Sequence, residues 1–190
     1  HYDSINLNAL SPGANDNGSG VAAMLEIARV SADLPLPCPI YFVAFGGEEM
    51  VDHNPEHHHY GSRYFQAHQA RPLAAMVSLD MIGVGDHLYL RYVEPAPEPL
   101  LALIESAASR VGVAVSRKPD PGHSDHEPFA RAGLPAVWIH RLGDRANHTA
   151  ADTTDRVNPV YVQSVVSLIT EFLTNLTSDD LDRVSAWSGG

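Results

Sequence analysis

Two adjacent carboxylates, Glu48 and Glu49, follow a run of six apolar residues, Ile40 to Phe45. Acidic side chains that lie where a buried strand emerges are costly unless something pairs with them. Other acids and histidines occur where further predicted strands and turns end. The candidate residues are His1, Asp16, Glu48, Glu49, Asp80 and His148. A mixed set of imidazole and carboxylate groups is a donor set that zinc and other first-row divalent ions accept, so these residues indicate a metal site.

The elements that would hold these residues alternate between strands and helices. Apolar patterning predicts strands at 40–45, 73–79, 87–93, 113–116 and 135–139, and helices at 21–30, 61–70, 99–111, 124–131 and 160–176. Buried strands outnumber alternating ones, which favours an α/β fold with a largely parallel sheet covered on both faces by helices. Ligands of such folds bind at the carboxyl ends of the strands, so we expect the candidate side chains to meet there.

Local signals set several boundaries. Ser124 and Glu127 have the spacing of a capping box, and Asn158 followed by Pro159 predicts the start of the last long helix. We expect one domain over residues 1–176 and a polar, fraying C-terminal tail at 177–190. The chain starts at His1 rather than at a methionine, so we expect a fragment or a processed product, with a further strand upstream of His1.

Composition excludes several classes of protein. The 190 residues are 44% hydrophobic, which is enough for one well-packed domain. Acids outnumber bases by 23 to 12 and no basic stripe is present, so nucleic acid is an unexpected partner. Cys38 is the only cysteine, which excludes an intrachain disulfide. No apolar run approaches the roughly 20 residues that cross a membrane as a helix.

Seven stretches, taken together and in order, resemble the M28 family of zinc-dependent aminopeptidases. They are HYDS at 1–4, PGANDNGSGVAAMLEIAR at 12–29, FGGEE at 45–49, GSRYF at 61–65, SLDMIG at 78–83, SDHEPF at 124–129 and HTAADT at 148–153. The resemblance implies a mixed α/β sandwich of the zinc exopeptidase type. It also implies two co-catalytic zinc ions and peptide substrates with a free N-terminus.

Carried over by position, the resemblance also implies a ligand set. Asp16 would bridge the two zinc ions. His1 and Asp80 would complete the coordination of one ion, and Glu49 and His148 that of the other.

The remaining roles follow from the same resemblance. Glu48 would be the general base, and Asp3 would orient the imidazole of His1. The Asp16–Asn17 peptide bond is expected to be cis. Adjacent residues of an extended chain point to opposite sides, which suits separate tasks for Glu48 and Glu49.

Four further residues are weaker candidates. Asp125 and His126 resemble a family element that lines the site, although Asp125 could equally stabilise a helix N-terminus. Met81 follows a candidate ligand directly and could line the substrate pocket or pack in the core. Asp152, four residues after His148, could support the ligands from outside.

The segment between Glu49 and Gly61 is longer than in many family aminopeptidases. It contains His53, His57, His58 and His59, and its polarity predicts a surface loop. It is either a tolerated insertion or a rim element that shapes the cleft or binds another divalent ion.

Three alternative functions remain open. A glutaminyl cyclase-like aminoacyltransferase has the same fold, but that family usually has Trp before the last metal-binding histidine, where this chain has Asn147. A carboxypeptidase or other amide hydrolase is the second. A non-catalytic binding domain is the third, and it should lack the base or a ligand, whereas all are present here. The resemblance favours a secreted or periplasmic location and a monomer, which the residues themselves do not decide.

Overall fold

A computed structural model describes residues 1–5, 10–50, 52–54 and 56–187. It contains four strands and six α-helices over those residues. In chain order they are α1 (Gly20–Ser31), α2 (Tyr60–His68), β1 (Met76–Leu79), β2 (His87–Tyr92), α3 (Glu98–Arg110), β3 (Val115–Pro119), α4 (Glu127–Arg131), β4 (Ala136–Leu142), α5 (Pro159–Thr174) and α6 (Ser178–Ser185). None of the helices in the described ranges is long and apolar enough to span a lipid bilayer.

The four strands form one sheet in the order β1-β4-β2-β3. β4 pairs in parallel with β1, with Trp138 opposite Ser78, and β2 pairs in parallel with β3. The central β2–β4 pair is antiparallel, with His140 opposite Tyr89. The sheet is therefore mixed and mostly parallel, which confirms the predicted fold class.

Helices cover both faces of this sheet. On one face, α1, α3 and α5 contribute Ile27, Ile104 and Leu168 to a core cluster that contains Val137 of β4. Ala136 precedes Val137 and therefore points to the other face, where it packs near Phe129 of α4 and Phe65 of α2. The predicted helices thus bury the apolar stripes that their periodicity indicated.

The predicted buried strand at 40–45 is wrong. This segment belongs to none of the strands, and Tyr41 and Phe42 remain 48% and 38% exposed. Among the described residues, no strand forms a ladder of hydrogen bonds with this segment. The one backbone hydrogen bond recorded for it there is from the Tyr2 N–H to the Phe45 carbonyl, at 2.8 Å. Phe45 is buried against Phe65 and Phe129, so the apolar run is anchored at its end.

The predicted capping box at Ser124 is also wrong. α4 begins at Glu127, and the Ser124 hydroxyl lies 3.2 Å from the hydroxyl of Ser78. The Glu127 carboxylate contacts other side chains, described below, instead of the helix start. By contrast, Asn158 caps α5 as expected, accepting a hydrogen bond from the Val160 N–H.

The polar C-terminal segment differs from the expected fraying tail. It contains α6, whose first turn has the reciprocal hydrogen bonds of a capping box between Thr177 and Asp180. Residues 188–190 of that segment lie outside the described residues. The boundary of the domain at residue 176 stays a prediction.

Candidate metal centre

The six candidate ligand and base residues come from five separate parts of the chain and meet at one edge of the sheet. Asp80 directly follows β1, and Asp16 lies in an irregular turn, Ala14–Ser19, that leads into α1. His148 lies in the loop after β4. The Tyr2–Phe45 backbone hydrogen bond fixes His1 beside the segment that ends in Glu48 and Glu49.

One group of donors forms around the imidazole of His1. His1 Nε2 lies 3.3 Å from Asp16 Oδ1 and 3.5 Å from Asp80 Oδ1. All three side chains are buried. Their donor atoms are close enough together to surround one metal ion.

A second group of donors forms around His148. His148 Nε2 lies 3.1 Å from Asp16 Oδ2 and 3.2 Å from Glu49 Oε2. Asp16 therefore directs one carboxylate oxygen to each group. The two donor sets thus overlap at one shared carboxylate, and each has donor atoms that could hold a metal ion.

The chemistry of these residues fits a divalent cation. Asp16, Glu48, Glu49 and Asp80 are all at least nine-tenths buried, and buried carboxylates need positive partners. His1 Nε2, Glu49 Oε1 and Asp80 Oδ1 are buried without a hydrogen-bond partner in the part of the chain that the structure describes. These nitrogen and oxygen atoms are also the donor types that zinc accepts.

The pKa values of the histidines report the same concentration of negative charge. Burial lowers the pKa of His1, but the charge of Asp80 and the nearby carboxylates of Asp16 and Asp3 raise it well above its usual value. Hydrogen bonds to Asp16 and Glu49 raise the pKa of His148 to about 10. The carboxylates thus create a negative potential at both His1 and His148, which favours a bound cation.

Asp152, an acid outside the donor sets, holds the backbone of Asp16 in place. Asp152 is fully buried, and its carboxylate accepts hydrogen bonds from the backbone N–H groups of Asn15 and Asp16 at 2.8 and 3.0 Å. This is a supporting contact of the kind expected for Asp152. The Asp16–Asn17 peptide bond is cis, as expected from the resemblance.

Asp3 supports both sides of the site. Its carboxylate accepts hydrogen bonds from the backbone N–H groups of Glu48 and Glu49 at 3.3 and 3.1 Å. His1 Nδ1 lies 3.6 Å from Asp3 Oδ1. The same nitrogen is hydrogen-bonded to the Asp3 backbone carbonyl at 3.1 Å. Asp3 therefore lies beside His1 and also fixes the backbone that carries the two glutamates, and its orienting of the His1 imidazole stays a prediction.

Glu48 is adjacent to both donor sets: its carboxylate lies near two histidines, and with His1 and Glu49 it forms a further group of donor atoms within 4.8 Å of one another. Its Oε2 is 3.7 Å from His1 Nε2, and its Oε1 is 3.1 Å from His59 Nε2. Burial raises the pKa of Glu48 to about 8, although the hydrogen bond from His59 and the charge of His1 lower it.

His59 and Glu127 were missed by sequence reasoning. His59 is 1% exposed, so its assignment to a surface loop is wrong. His59 Nδ1 lies 2.8 Å from Glu127 Oε2, and its Nε2 faces Glu48. No spacing rule connects these positions, and the run of three histidines does not distinguish the buried one.

The other histidines of the segment lie elsewhere. His57 is paired with Asp52 at the surface, His53 is exposed, and His58 lines the cavity described next. Positions 51 and 55 of the predicted loop lie outside the described residues.

A cavity of about 410 Å³ opens onto both donor sets, a volume typical of a small-molecule site. Met81, Arg91, Trp138 and His140 contribute to its wall. The Arg91 guanidinium stacks 4.3 Å above the Trp138 ring and is ion-paired with Asp120. Met81 thus lines the cavity, and its role in substrate binding stays a prediction.

Asp125 and His126 do not line this cavity. Both are almost fully buried, and burial raises the pKa of Asp125 to about 6 and lowers that of His126 to about 4. The His126 ring packs 5.8 Å from the Trp138 ring, between centroids. Their assignment to substrate binding stays a prediction.

Comparison with known proteins identifies aminopeptidases among the relatives of this chain. The chain is 30% identical over 180 residues to aminopeptidase YwaD of Bacillus subtilis, covering 90% of this chain and 38% of the relative. The crystal structure of BSAP, a zinc aminopeptidase from Bacillus subtilis, superposes with a TM-score of 0.79 at 29% identity, over 90% of this chain and 43% of that one.

A third comparison bears on the fold alone. The Bacteroides thetaiotaomicron glutaminyl cyclase bound to N-acetylhistamine superposes with a TM-score of 0.73 at 23% identity, over 87% of this chain and 64% of that one.

The chain spans less than half the length of the two Bacillus subtilis proteins. The sequence profile of peptidase family M28 matches residues 1–173. Because this match runs through every element that carries a candidate ligand, the chain belongs to peptidase family M28.

Proposed function

We propose that the protein is a zinc-dependent aminopeptidase that hydrolyses the N-terminal peptide bond of its substrates. The observation that carries this proposal is the pair of donor sets that share Asp16. Membership of the M28 family and the likeness to zinc aminopeptidases support it. The cavity that opens onto both sets supplies space for the N-terminal residue of a peptide.

In this proposal two zinc ions bind side by side. His1 and Asp80 would hold one ion, Glu49 and His148 would hold the other, and Asp16 would be a ligand of both. Asp152 and Asp3 fix the backbone of these ligands, a role that outer hydrogen-bond partners commonly have at metal sites. When bound, zinc acts as a Lewis acid and lowers the pKa of bound water to about 7.

Glu48 is the proposed general base. Its Oε2 is directed toward the donor sets, and its Oε1 is held by His59. Burial disfavours the charged form of Glu48 and raises its pKa, which favours uptake of a proton. Glu48 would accept the proton of the attacking water and deliver it to the leaving amine.

A panel of aminoacyl-p-nitroanilides with matched N-blocked controls tests the proposal. The zinc-loaded protein should release p-nitroaniline from free-amine substrates, should lose this activity to a chelator and should regain it with zinc. Equal cleavage of N-blocked substrates would contradict an aminopeptidase and would favour another amide hydrolase.

A peptide with an N-terminal glutamine, added to this panel, distinguishes the proposed aminopeptidase from a glutaminyl cyclase. An N-terminal glutaminyl peptide should lose its first residue under the proposal. Its conversion to pyroglutamate without loss of a residue would instead support aminoacyl transfer. Asn147, in place of the Trp expected before His148, does not favour the cyclase.

A further inference from the structure

The loop that contains His59 is folded back onto the two glutamates by its backbone. The N–H groups of His59, Tyr60 and Gly61 donate to the carbonyls of Glu48, Gly47 and Gly46 at 3.0, 2.7 and 3.1 Å. This pairing fixes the Cα of His59 relative to that of Glu48. His59 also has a φ of 56°, a left-handed conformation that is uncommon outside glycine but that Asn, Asp and His adopt more often than other residues.

The His59 ring is held at both nitrogens. Glu127 Oε2 accepts a hydrogen bond from His59 Nδ1 at 2.8 Å. With the ring held in this way, His59 Nε2 is directed at Glu48 Oε1, 3.1 Å away. Glu127 is fixed in turn, because its other oxygen accepts from Arg131 Nε at 2.6 Å. The result is a buried chain of contacts that runs from α4 to the carboxylate of Glu48.

The two oxygens of Glu48 thereby face different ways. Oε1 is bound by His59, and Oε2 lies 3.7 Å from His1 Nε2 on the side of the donor sets. Without His59, the Glu48 side chain could rotate and turn both oxygens away from the donor sets. We infer that His59 is a positioning residue for Glu48, holding one carboxylate oxygen so that the other faces the metal ligands. This inference rests on the proposed function, since it gives His59 a task only if Glu48 is the base.

A third metal site is the competing explanation for this cluster. Donor atoms of His58, His59 and Glu127 lie within 4.8 Å of one another. However, both oxygens of Glu127 are already hydrogen-bonded, and the guanidinium of Arg63 lies 3.7 Å from Oε2. Two neighbouring guanidinium groups make this a poor place for another cation.

Two substitutions of His59 separate positioning from a merely structural role. His59→Asn suits the left-handed backbone and keeps an amide near the position of Nδ1, within reach of Glu127, but is too short for Glu48. His59→Gln extends an amide N–H to the position of Nε2 and can still donate to Glu48. His57→Ala, at the exposed neighbour paired with Asp52, is the control and should match the wild type.

The measurements are kcat and KM on a free-amine aminoacyl-p-nitroanilide, zinc content per chain, and the midpoint of thermal unfolding. We expect His59→Asn to lower kcat by about 10²-fold, the cost of misplacing a reacting group by about 1 Å. KM and zinc content should be unchanged. His59→Gln should regain most of the wild-type kcat even if it unfolds at a lower temperature than His59→Asn. A structural role predicts the opposite order, since activity would then follow stability.

The possible failures are distinguishable. A zinc-loaded wild type without chelator-sensitive cleavage would overturn the proposed function and this inference with it. An active wild type together with a folded His59→Asn variant of full kcat would overturn the inference alone, as would a loss of zinc from that variant. If His59→Asn does not fold, Glu127→Ala carries the test: it frees the His59 ring, so a full kcat in that variant contradicts the inference.

Discussion

Asp152 is hydrogen-bonded to the backbone of Asp16. Its Oδ2 accepts the backbone N–H of Asp16 at 3.0 Å, although the two residues come from opposite ends of the chain. The side chain of Asp16 is thereby left to face His1 and His148. The position of the shared carboxylate thus depends on a buried acid that is not itself in either donor set.

Replacing Asp152 with Ala should weaken zinc binding. Loss of such an outer partner typically lowers metal affinity or activity by about 10- to 100-fold. Competition with a chromogenic chelator measures the change. Asp155→Ala is the matched control, because Asp155 is exposed nearby on the same loop and contacts neither donor set. Equal zinc affinity in the Asp152 and Asp155 variants would show that Asp152 does not support the site.

Replacing Glu48 with Gln should abolish proton transfer and leave the metal ligands intact. General-base catalysis contributes about 10²- to 10⁴-fold, so kcat should fall within that range while two zinc ions are retained. Steady-state kinetics and metal analysis on the same preparation test this. Glu26→Gln, at an exposed residue of α1 paired with Arg29, should have the wild-type kcat. A Glu48→Gln enzyme of undiminished rate would exclude Glu48 as the base.

The cap of α6 gives a prediction about stability that is independent of the metal. The Thr177 hydroxyl accepts a hydrogen bond from the Asp180 N–H. Thr177→Ala should therefore lower the free energy of unfolding by about 1 kcal/mol at pH 7, as measured by urea denaturation. Ser185→Ala, at an exposed position of the same helix, should have little effect.

The cost of losing Thr177 should also depend on pH. The hydrogen bond from the Thr177 hydroxyl lowers the pKa of Asp180. A lowered folded-state pKa stabilises the fold above the unfolded-state value of about 3.9, and this contribution is lost as the pH falls through the folded-state value. The difference between wild type and Thr177→Ala should therefore shrink below about pH 4. A constant difference from pH 7 to pH 2.5 would contradict this role of Asp180.

Sequence reasoning works well where a side chain is tied to the end of a regular element. Asp80 follows β1 and Asp16 precedes α1, so knowing that the fold is α/β is enough to predict that they approach each other. The fold class itself is confirmed, because the helices carry clear apolar stripes. His1 and His148 were expected at the same edge from the convergence of strand ends, but their assignment as particular ligands required the family resemblance.

Sequence reasoning fails where tertiary contacts override a local pattern. The apolar run at 40–45 has the composition of a buried strand, yet Tyr41 and Phe42 are exposed because no described strand pairs with them. Glu127 has the spacing of a capping residue, but it binds His59 and Arg131. The burial of His59 depends on a backbone that folds back onto residues 46–48, which polarity alone does not predict.

The most direct test of the bridged two-metal site is an anomalous difference map from crystals of the zinc-loaded protein, collected on both sides of the zinc absorption edge. Two peaks are expected, one beside His1 and Asp80 and the other beside Glu49 and His148, with Asp16 between them. A single peak, or two peaks that do not both contact Asp16, would contradict the proposed centre.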